Sequence, residues 1–424
     1  MKVLLISANT ERINMQAMPL GLACVAEAVK NKGHDVMMVD LMVETDAEAI
    51  LAEAIREFRP QCIGISVRNV DDQNYESPRF LLEKVKPVLA LCRNLTNVPI
   101  VLGGAGYSVF PENALAYLNA DMGIEGEGEI AFPALLSNLE NNSDLSLIPG
   151  LHILNRGLQY QRILAKNLDE LKLPDTSILS ESASKNEEPW IPVQSRRGCA
   201  LNCSYCSTPG IEGSVLRLRS PEIVSAWIDN WVYEGFTKFF FVDNTFNRPA
   251  DYAKELCRQI LKKRLNIRWR CIIYPKNVDK ELVELMADAG CKQISLGFES
   301  GSDQMLKNLN KQFTKEDVWA TSLLFADSAI ERNGFLMLGG PGETKKSVEE
   351  SLAFADSLEL ENLRLTIGIR IYPNTQLAEM ALKEGVITSK SNLLYPHFYL
   401  ARGLEGWLPS LLKEWQASRP NIIM

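Results

Sequence analysis

Short, wholly apolar runs alternate with longer stretches of mixed polarity from the first residues onward. Val3-Leu4-Leu5-Ile6-Ser7 has the length of a strand and no polar alternation. A helical stretch follows from Pro19, a residue suited to a first helical turn, to Asn31-Lys32-Gly33. The same alternation predicts strands at Val36–Asp40, Cys62–Val67, Pro99–Gly104 and Met122–Ile124, with helices over 46–58, 78–95, 111–119 and 129–140. Strands that are apolar on both faces fit a parallel sheet covered by helices on both sides. The expectation for residues 1–142 is an α/β, doubly wound domain of flavodoxin-like or Rossmann-like type.

The pattern then changes. Residues 143–190 read as a connection, with a strand, turn and strand in Gly150–Tyr160 and a polar, helix-breaking linker or flap from Ser180 to Pro189. His152 alternates with apolar neighbours and reads as a strand residue, and His34 as a surface residue. From 191 to 372, strands are predicted at Ile191–Arg196, Lys238–Val242, Arg268–Ile272, Gln293–Phe298, Arg332–Leu338 and Leu363–Arg370. Helices over 221–234, 250–264, 279–289, 302–308, 314–328 and 345–358 separate them. This repeat predicts a partial (β/α)6 barrel, in which function sits at the carboxyl ends of the strands. Residues 373–424 form a short C-terminal extension with Tyr395, His397, Phe398, Tyr399, Trp407 and Trp415. It reads as a helix packed on the barrel or as a cap that supplies substrate contacts, with His397 placed for acid–base work.

Composition narrows the chemistry. A net charge of −8 over 424 residues speaks against a partner bound through nucleic-acid phosphates. Nine cysteines are too few, and odd in number, for a disulfide scaffold, so a reducing cytoplasm is expected. No secretory leader and no membrane-spanning run is expected either. In doubly wound sheets ligands sit beyond the carboxyl ends of the strands. Those ends carry Ser7-Ala8-Asn9, Ser66-Val67-Arg68-Asn69-Val70-Asp71, Gly103-Gly104-Ala105-Gly106 and Glu125-Gly126-Glu127-Gly128-Glu129. The glycines admit a ligand or serve the turns, and Arg68 with Asp71 either meets a ligand or closes the sheet as an ion pair. The first helix lacks G-x-G-x-x-G, which excludes the usual dinucleotide fingerprint.

Three cysteines, Cys199, Cys203 and Cys206, fall at spacing C-x3-C-x2-C just past the first barrel strand. Three thiolates from a short loop grip a soft metal centre. A structural zinc site wants four ligands; an iron–sulfur cluster with three leaves one iron open. Cys24, Cys62, Cys92, Cys257, Cys271 and Cys291 sit in apolar segments and read as small core residues. None follows Cys291, so ligands for an auxiliary cluster are missing.

The cysteine loop with its Tyr205, together with Gly297-Phe298-Glu299-Ser300-Gly301-Ser302 and Gly339-Gly340-Pro341-Gly342-Glu343-Thr344, resembles the radical SAM enzymes over about 190–375. The pattern of Val101–Gly106, Pro111-Glu112 and Ala120–Glu129 resembles the cobalamin-binding domains that precede many such barrels. The resemblance implies a 4Fe–4S cluster on the three cysteines and S-adenosylmethionine on its open iron. It places Tyr205 against adenine, Asp243 and Asn244 near the methionine amino group, Glu299 near the ribose and Arg370 near the carboxylate. The Gly339–Thr344 turn is expected to be structural, with Thr344 capping the next helix. Cobalamin would meet Asn9, Ser66, Arg68, Asn69, Gly103, Gly104 and Glu127. The loop from Asn9 to Met18 has no histidine to ligate cobalt. Arg68-Asn69-Val70-Asp71 resembles a segment of the tryptophan methyltransferases of this family in which the arginine lies beneath the cobalt.

The function implied is cobalamin-dependent radical methylation of an unactivated carbon in a small-molecule or lipid-type substrate. A flavodoxin or ferredoxin would serve as electron donor. Alternatives are a cobalamin-dependent ring closure or rearrangement, a non-radical methyl transfer by cobalamin alone, and a non-catalytic cobalamin sensor with a structural cluster. Asp243-Asn244 and Glu299-Ser300 speak against the last, because a structural cluster needs no S-adenosylmethionine site.

Overall fold

The computed structural model describes residues 1–12, 18–44, 46–185 and 189–423. Residues 13–17 of the loop expected to lack a cobalt ligand, and 186–188 of the expected linker, lie outside these. The chain forms two compact units. The first comprises Met1–Asp72, Arg79–Trp190 and Thr208–Leu218; the second comprises Gln73–Pro78, Ile191–Ser207 and Arg219–Met424.

In the first unit, β1 (Lys2–Ser7), α1 (Leu20–Lys30), β2 (Asp35–Asp40), α2 (Ala47–Phe58) and β3 (Cys62–Ser66) follow the predicted order. Then come α3 (Val85–Leu95), β4 (Ile100–Gly103), α4 (Ala105–Val109), α5 (Pro111–Leu118), β5 (Met122–Ile124) and α6 (Gly128–Glu140). Five strands are parallel in the order β2-β1-β3-β4-β5. This is the flavodoxin-like order, whose switch point lies between β1 and β3. On one face Val3, Leu5 and Val101 pack beneath Ala26 and Val29 of α1 and Phe132, Leu135 and Leu136 of α6. Burying each large apolar side chain contributes about 1.5–3 kcal/mol.

Several expectations change here. The hairpin placed in the connection, β6 (Leu151–Ile153) and β7 (Gly157–Leu158), extends the first sheet as antiparallel edge strands. The helix expected from residue 78 begins later, with a 3-10 turn at Leu81–Lys84, because Asp71 and Phe80 bridge as short strands. Part of the expected linker is α7 (Thr176–Ser184), started by Asp175 accepting from the Ser177 amide and anchored by buried Leu179 and Ala183. His34 is buried, with Nδ1 3.0 Å from the N-terminal nitrogen. His152 lies in a strand as expected, buried beside Glu125.

The second unit opens with β8 (Ile191–Val193) and β9 (Arg196–Arg197) around the start of the cysteine loop. The next elements, α8 (Thr208–Glu212) and β10 (Arg217–Leu218), belong to the first unit. The sheet then adds β11 (Lys238–Phe241), β12 (Arg268–Ile273), β13 (Cys291–Glu299), β14 (Glu331–Leu338) and β15 (Asn362–Ile367). All pair in parallel. Helices α9 (Pro221–Tyr233), α10 (Ala250–Lys262), α11 (Lys280–Asp288), α12 (Asp303–Asn308), α13 (Lys315–Ala326) and α14 (Lys345–Ser357) intervene. Thr344 caps α14 in a reciprocal box with Ser347.

The last predicted strand does not run through to Arg370. Gly368 has φ of +69°, a left-handed conformation suited to glycine. It turns the chain into β16 (Ile369–Arg370), which pairs antiparallel with β17 (Phe398–Tyr399) of the tail. The tail also provides α15 (Gln376–Lys383), α16 (Trp407–Ala417) and β18 (Ile422–Ile423). β18 pairs with β15, so among the described residues the sheet has seven strands rather than six. Along the longer strands, every second residue is fully buried on the helix side. The alternate residues form a half-exposed face, for example Asn333, Phe335 and Met337 of β14.

Candidate functional site

Among nine cysteines, Cys199, Cys203 and Cys206 are half-exposed, whereas the other six are buried as expected. The loop that carries the three thiols is tied down at many points. The Ser204 amide donates to the Leu309 carbonyl (3.1 Å), the Leu377 amide donates to the Ser204 carbonyl (2.8 Å), and Asn310 Nδ2 donates to the Asn202 carbonyl (2.6 Å). Asn202 adopts φ of +52°, which asparagine tolerates better than most residues. Among the described residues no three His, Cys, Asp or Glu side chains close round a single metal ion. Thiols spread over a loop suit a cluster in which each meets a different iron.

Behind Cys203 lies a triad that the sequence did not disclose as a unit. Lys311 Nζ donates to Tyr205 Oη (2.9 Å) and Glu299 Oε1 (3.3 Å), and Tyr205 Oη donates to the same Oε1 (3.1 Å). Burial opposes the Lys311 charge, but Tyr205, Glu299 and Cys203 outweigh it and hold its pKa well above the ordinary value. Burial pushes the Tyr205 phenol up, so it stays protonated. Burial also raises the Cys203 thiol, against the pull of Lys311. Glu299 reaches the triad from a left-handed backbone, φ +62°, at a bulge ending β13. Its Oε1 lies 3.2 Å from where a Cβ on Gly297 would stand, so a side chain there would crowd it. Lys311 lies in a turn between two helices, where no periodicity marks it.

Two residues expected near S-adenosylmethionine have partners within the protein. Asp243 is fully buried and spends its carboxylate on the Ser195 amide (2.8 Å), the Ser195 hydroxyl (2.6 Å) and the Arg196 amide (3.2 Å). Burial raises its pKa, against the pull of Arg196. It is a brace for the strand that enters the cysteine loop, while its neighbour Asn244 is half-buried. Arg370 is buried and donates to the carbonyls of Ile371 (2.7 Å) and Leu393 (2.8 Å), because the turn at Gly368 carries it into the tail. His397 is half-buried, with Nδ1 3.0 Å from the Tyr395 carbonyl.

In the first unit a small, open cleft lies at the β1/β3 switch point. Asn9, Ser66, Arg68 and Asn69 line it, as do Glu11 and Lys84, which pair with each other. Asn9 Nδ2 is buried with no hydrogen-bond partner. The Arg68 side chain has exposed area, yet surrounding protein desolvates its guanidinium enough to lower the pKa. Among the described residues no ion pair joins Arg68 to Asp71. A buried amide nitrogen without a partner, beside an exposed cation at a switch point, suits a polar ligand-binding cleft.

The glycines divide. A Cβ on Gly104 would stand 2.6 Å from the Val67 carbonyl, so this glycine serves the packing of its own chain. At Gly103 the nearest atom is 4.0 Å away, which leaves room for a ligand. Glu127 is likewise committed: it accepts from Arg217 Nη1 (2.7 Å) and the Ala165 amide (2.7 Å), pinning the Thr208–Leu218 segment within the first unit.

Residues 193–355 match the Radical SAM superfamily and residues 6–136 match the B12 binding domain, so the chain belongs to the cobalamin-binding radical SAM family. An uncharacterized methyltransferase of Pyrococcus horikoshii is 28% identical over 402 residues, spanning 91% of this chain and 84% of the relative. The tryptophan 2-C-methyltransferase of Streptomyces laurentii is 24% identical, over 88% of this chain and 73% of the relative. Among solved structures, the radical S-adenosylmethionine methyltransferase TsrM from Kitasatospora setae, with cobalamin and a 4Fe–4S cluster bound, superposes with a TM-score of 0.87. It is 20% identical, covering 100% of this chain and 90% of that one. Among the described residues no helix is long and apolar enough to cross a membrane.

Proposed function

We propose that the chain is a cobalamin-dependent radical SAM methyltransferase that adds a methyl group to an unactivated carbon of a small molecule. The observation that carries this reading is a pairing within one chain. A thiol loop is built beside Glu299 and Lys311, and a flavodoxin-type switch-point cleft is lined by the partnerless Asn9 amide nitrogen and by Arg68. The relative named for tryptophan methylation supports it.

Cys199, Cys203 and Cys206 would hold the 4Fe–4S cluster, and Asn9, Ser66, Arg68, Asn69 and Gly103 would border cobalamin. When bound, the cluster supplies one-electron cleavage of S-adenosylmethionine and cobalamin supplies a methyl carrier. The protein's share is to position reactants and exclude water. Lys311 is the buried cation beside the thiols that is placed to meet the S-adenosylmethionine carboxylate, the role first expected of Arg370. Glu299 offers its second oxygen to the ribose, and Asp243 holds the strand that enters the loop from behind. Gly104 and Glu127 shape the first unit rather than touch a ligand. A flavodoxin or ferredoxin would deliver the electron.

Anaerobic reconstitution with iron, sulfide and hydroxocobalamin, followed by reductant and S-adenosylmethionine, tests the reading. Cobalamin should copurify, and 5′-deoxyadenosine should form. Failure to retain cobalamin would sink it. Arg68 favours a second reading, methyl transfer by cobalamin without a substrate radical, because a cation near the cofactor discourages an additional cobalt ligand. Methylated product without stoichiometric 5′-deoxyadenosine would select that route.

A further inference from the structure

The half-exposed face of the second sheet carries an arginine with no hydrogen-bond or ion-pair partner among the described residues. β15 alternates: Leu363, Leu365 and Ile367 are buried against the helices, whereas Asn362, Arg364 and Thr366 face the other way. Arg364 is half-buried, and among the described residues no hydrogen bond or ion pair reaches its guanidinium. Desolvation lowers its pKa, with no carboxylate to offset it.

The neighbouring Arg332 shows how this fold treats an arginine that is structural. Arg332 is buried on the helix side, where it meets Glu361 Oε1 (2.8 Å) and Oε2 (3.1 Å) and the carbonyls of Leu358 (3.2 Å) and Glu359 (2.6 Å). A desolvated cation left without such partners costs stability. It is tolerated where a ligand supplies the missing acceptor.

Register places this cation relative to the thiol loop. Gly297 pairs with Phe335, and Phe335 pairs with Arg364. Two interstrand steps separate Arg364 from Gly297, about 10 Å, and the Glu299 carboxylate lies against Gly297. Phe335 stands between them on the same face, and Ile423 of β18 flanks Arg364 on the other side. One row lower, Asn362 Nδ2 donates to Asn333 Oδ1 (3.0 Å). Arg364 therefore stands between apolar Phe335 and Ile423, within one small molecule's length of Glu299.

We propose that Arg364 is a substrate-binding residue that holds a carboxylate or phosphate group of the molecule to be methylated, with an apolar body lying over Phe335. This rests on the methyltransferase reading for its chemistry, but binding at Arg364 is measurable without turnover. An oxyanion accepts two parallel hydrogen bonds from a guanidinium, which fixes orientation as well as affinity.

The test uses the full-length, anaerobically purified protein and three probes of one shape: 3-phenylpropionate, 2-phenylethyl phosphate and neutral 3-phenylpropanamide. At least one anion should bind roughly tenfold tighter than the amide, the size of one charge-assisted contact. The preferred arm tells carboxylate from phosphate. Arg364→Gln should abolish the preference, Arg364→Lys should restore part of it, and Thr366→Val on the same strand should leave it intact. Equal binding of all three probes, or a preference that survives Arg364→Gln, would overturn the proposal. Cobalamin retention and 5′-deoxyadenosine formation, read on the same samples, report separately on the methyltransferase reading.

Discussion

Around the thiol loop of the second unit, most polar groups are spent on one another; in the switch-point cleft of the first, the Asn9 amide nitrogen is left open. Asp243, Arg196 and Ser195 form one set of hydrogen bonds around the thiol loop, and Tyr205, Glu299 and Lys311 form a second. Asn9 Nδ2 is buried with no hydrogen-bond partner, and the Arg68 side chain meets no acceptor among the described residues. The difference teaches what each region must do. A loop of three thiols must be held in shape before a cluster can form, so its supports are internal. A cleft for a large organic cofactor leaves its donors for the guest, at some cost to the empty protein.

The contrast can be broken by experiment. Cys203→Ala should remove the cluster and take 5′-deoxyadenosine formation to background, measured with iron content after reconstitution. Lys311→Met should be the most damaging to the supporting frame, because it strands Glu299. Removal of one partner from a buried ion pair costs about 3–5 kcal/mol, to be read by denaturant unfolding of the apoprotein. Survival of full stability would deny that the triad is a closed set.

A subtler fault within the second unit is Glu343. Its Oε2 accepts the amides of Gly339 and Gly340, but Oε1 is buried without a partner. Burial raises the pKa to about 7, against the pull of those amides. The folded state thus holds the proton more tightly than the unfolded chain, so stability falls as pH rises from the usual glutamate range through about 7. The loss is at most about 3 kcal/mol, and Glu343→Gln should flatten it in unfolding midpoints taken across that window. The smallest effect is expected at the open end of the first sheet. Arg68→Ala should change apoprotein stability by less than about 0.5 kcal/mol, yet weaken or alter cobalamin retention. A large loss of stability would mean that Arg68 is structural after all.

Local pattern disclosed most of the architecture. The apolar runs of β1, β3 and β4 and the spacing of Cys199, Cys203 and Cys206 needed only neighbouring residues to be understood. The errors arose where distant chain decides. Arg370 seemed to end a strand until the turn at Gly368 handed it to the tail. Asp243 and Glu127 seemed to be free acids because their partners lie about 50 to 90 residues away in sequence. Lys311 carried no local mark. Arg364 did carry one, since Asn362-Leu363-Arg364-Leu365-Thr366-Ile367 alternates as a strand with two unlike faces.

The segment Gln73–Pro78 belongs to the second unit although it lies within the stretch of chain that builds the first. There Tyr75 packs edge-on against Phe398, centroids 5.8 Å apart, and Gln73 Nε2 donates to Tyr372 Oη (2.9 Å). The Thr208–Leu218 segment makes the reciprocal exchange. Neither half can therefore be inherited, excised or grafted as a self-sufficient module. A fragment starting at Ile191 would lack Tyr75 and leave Phe398 bare, and one ending at Trp190 would leave Glu127 without Arg217.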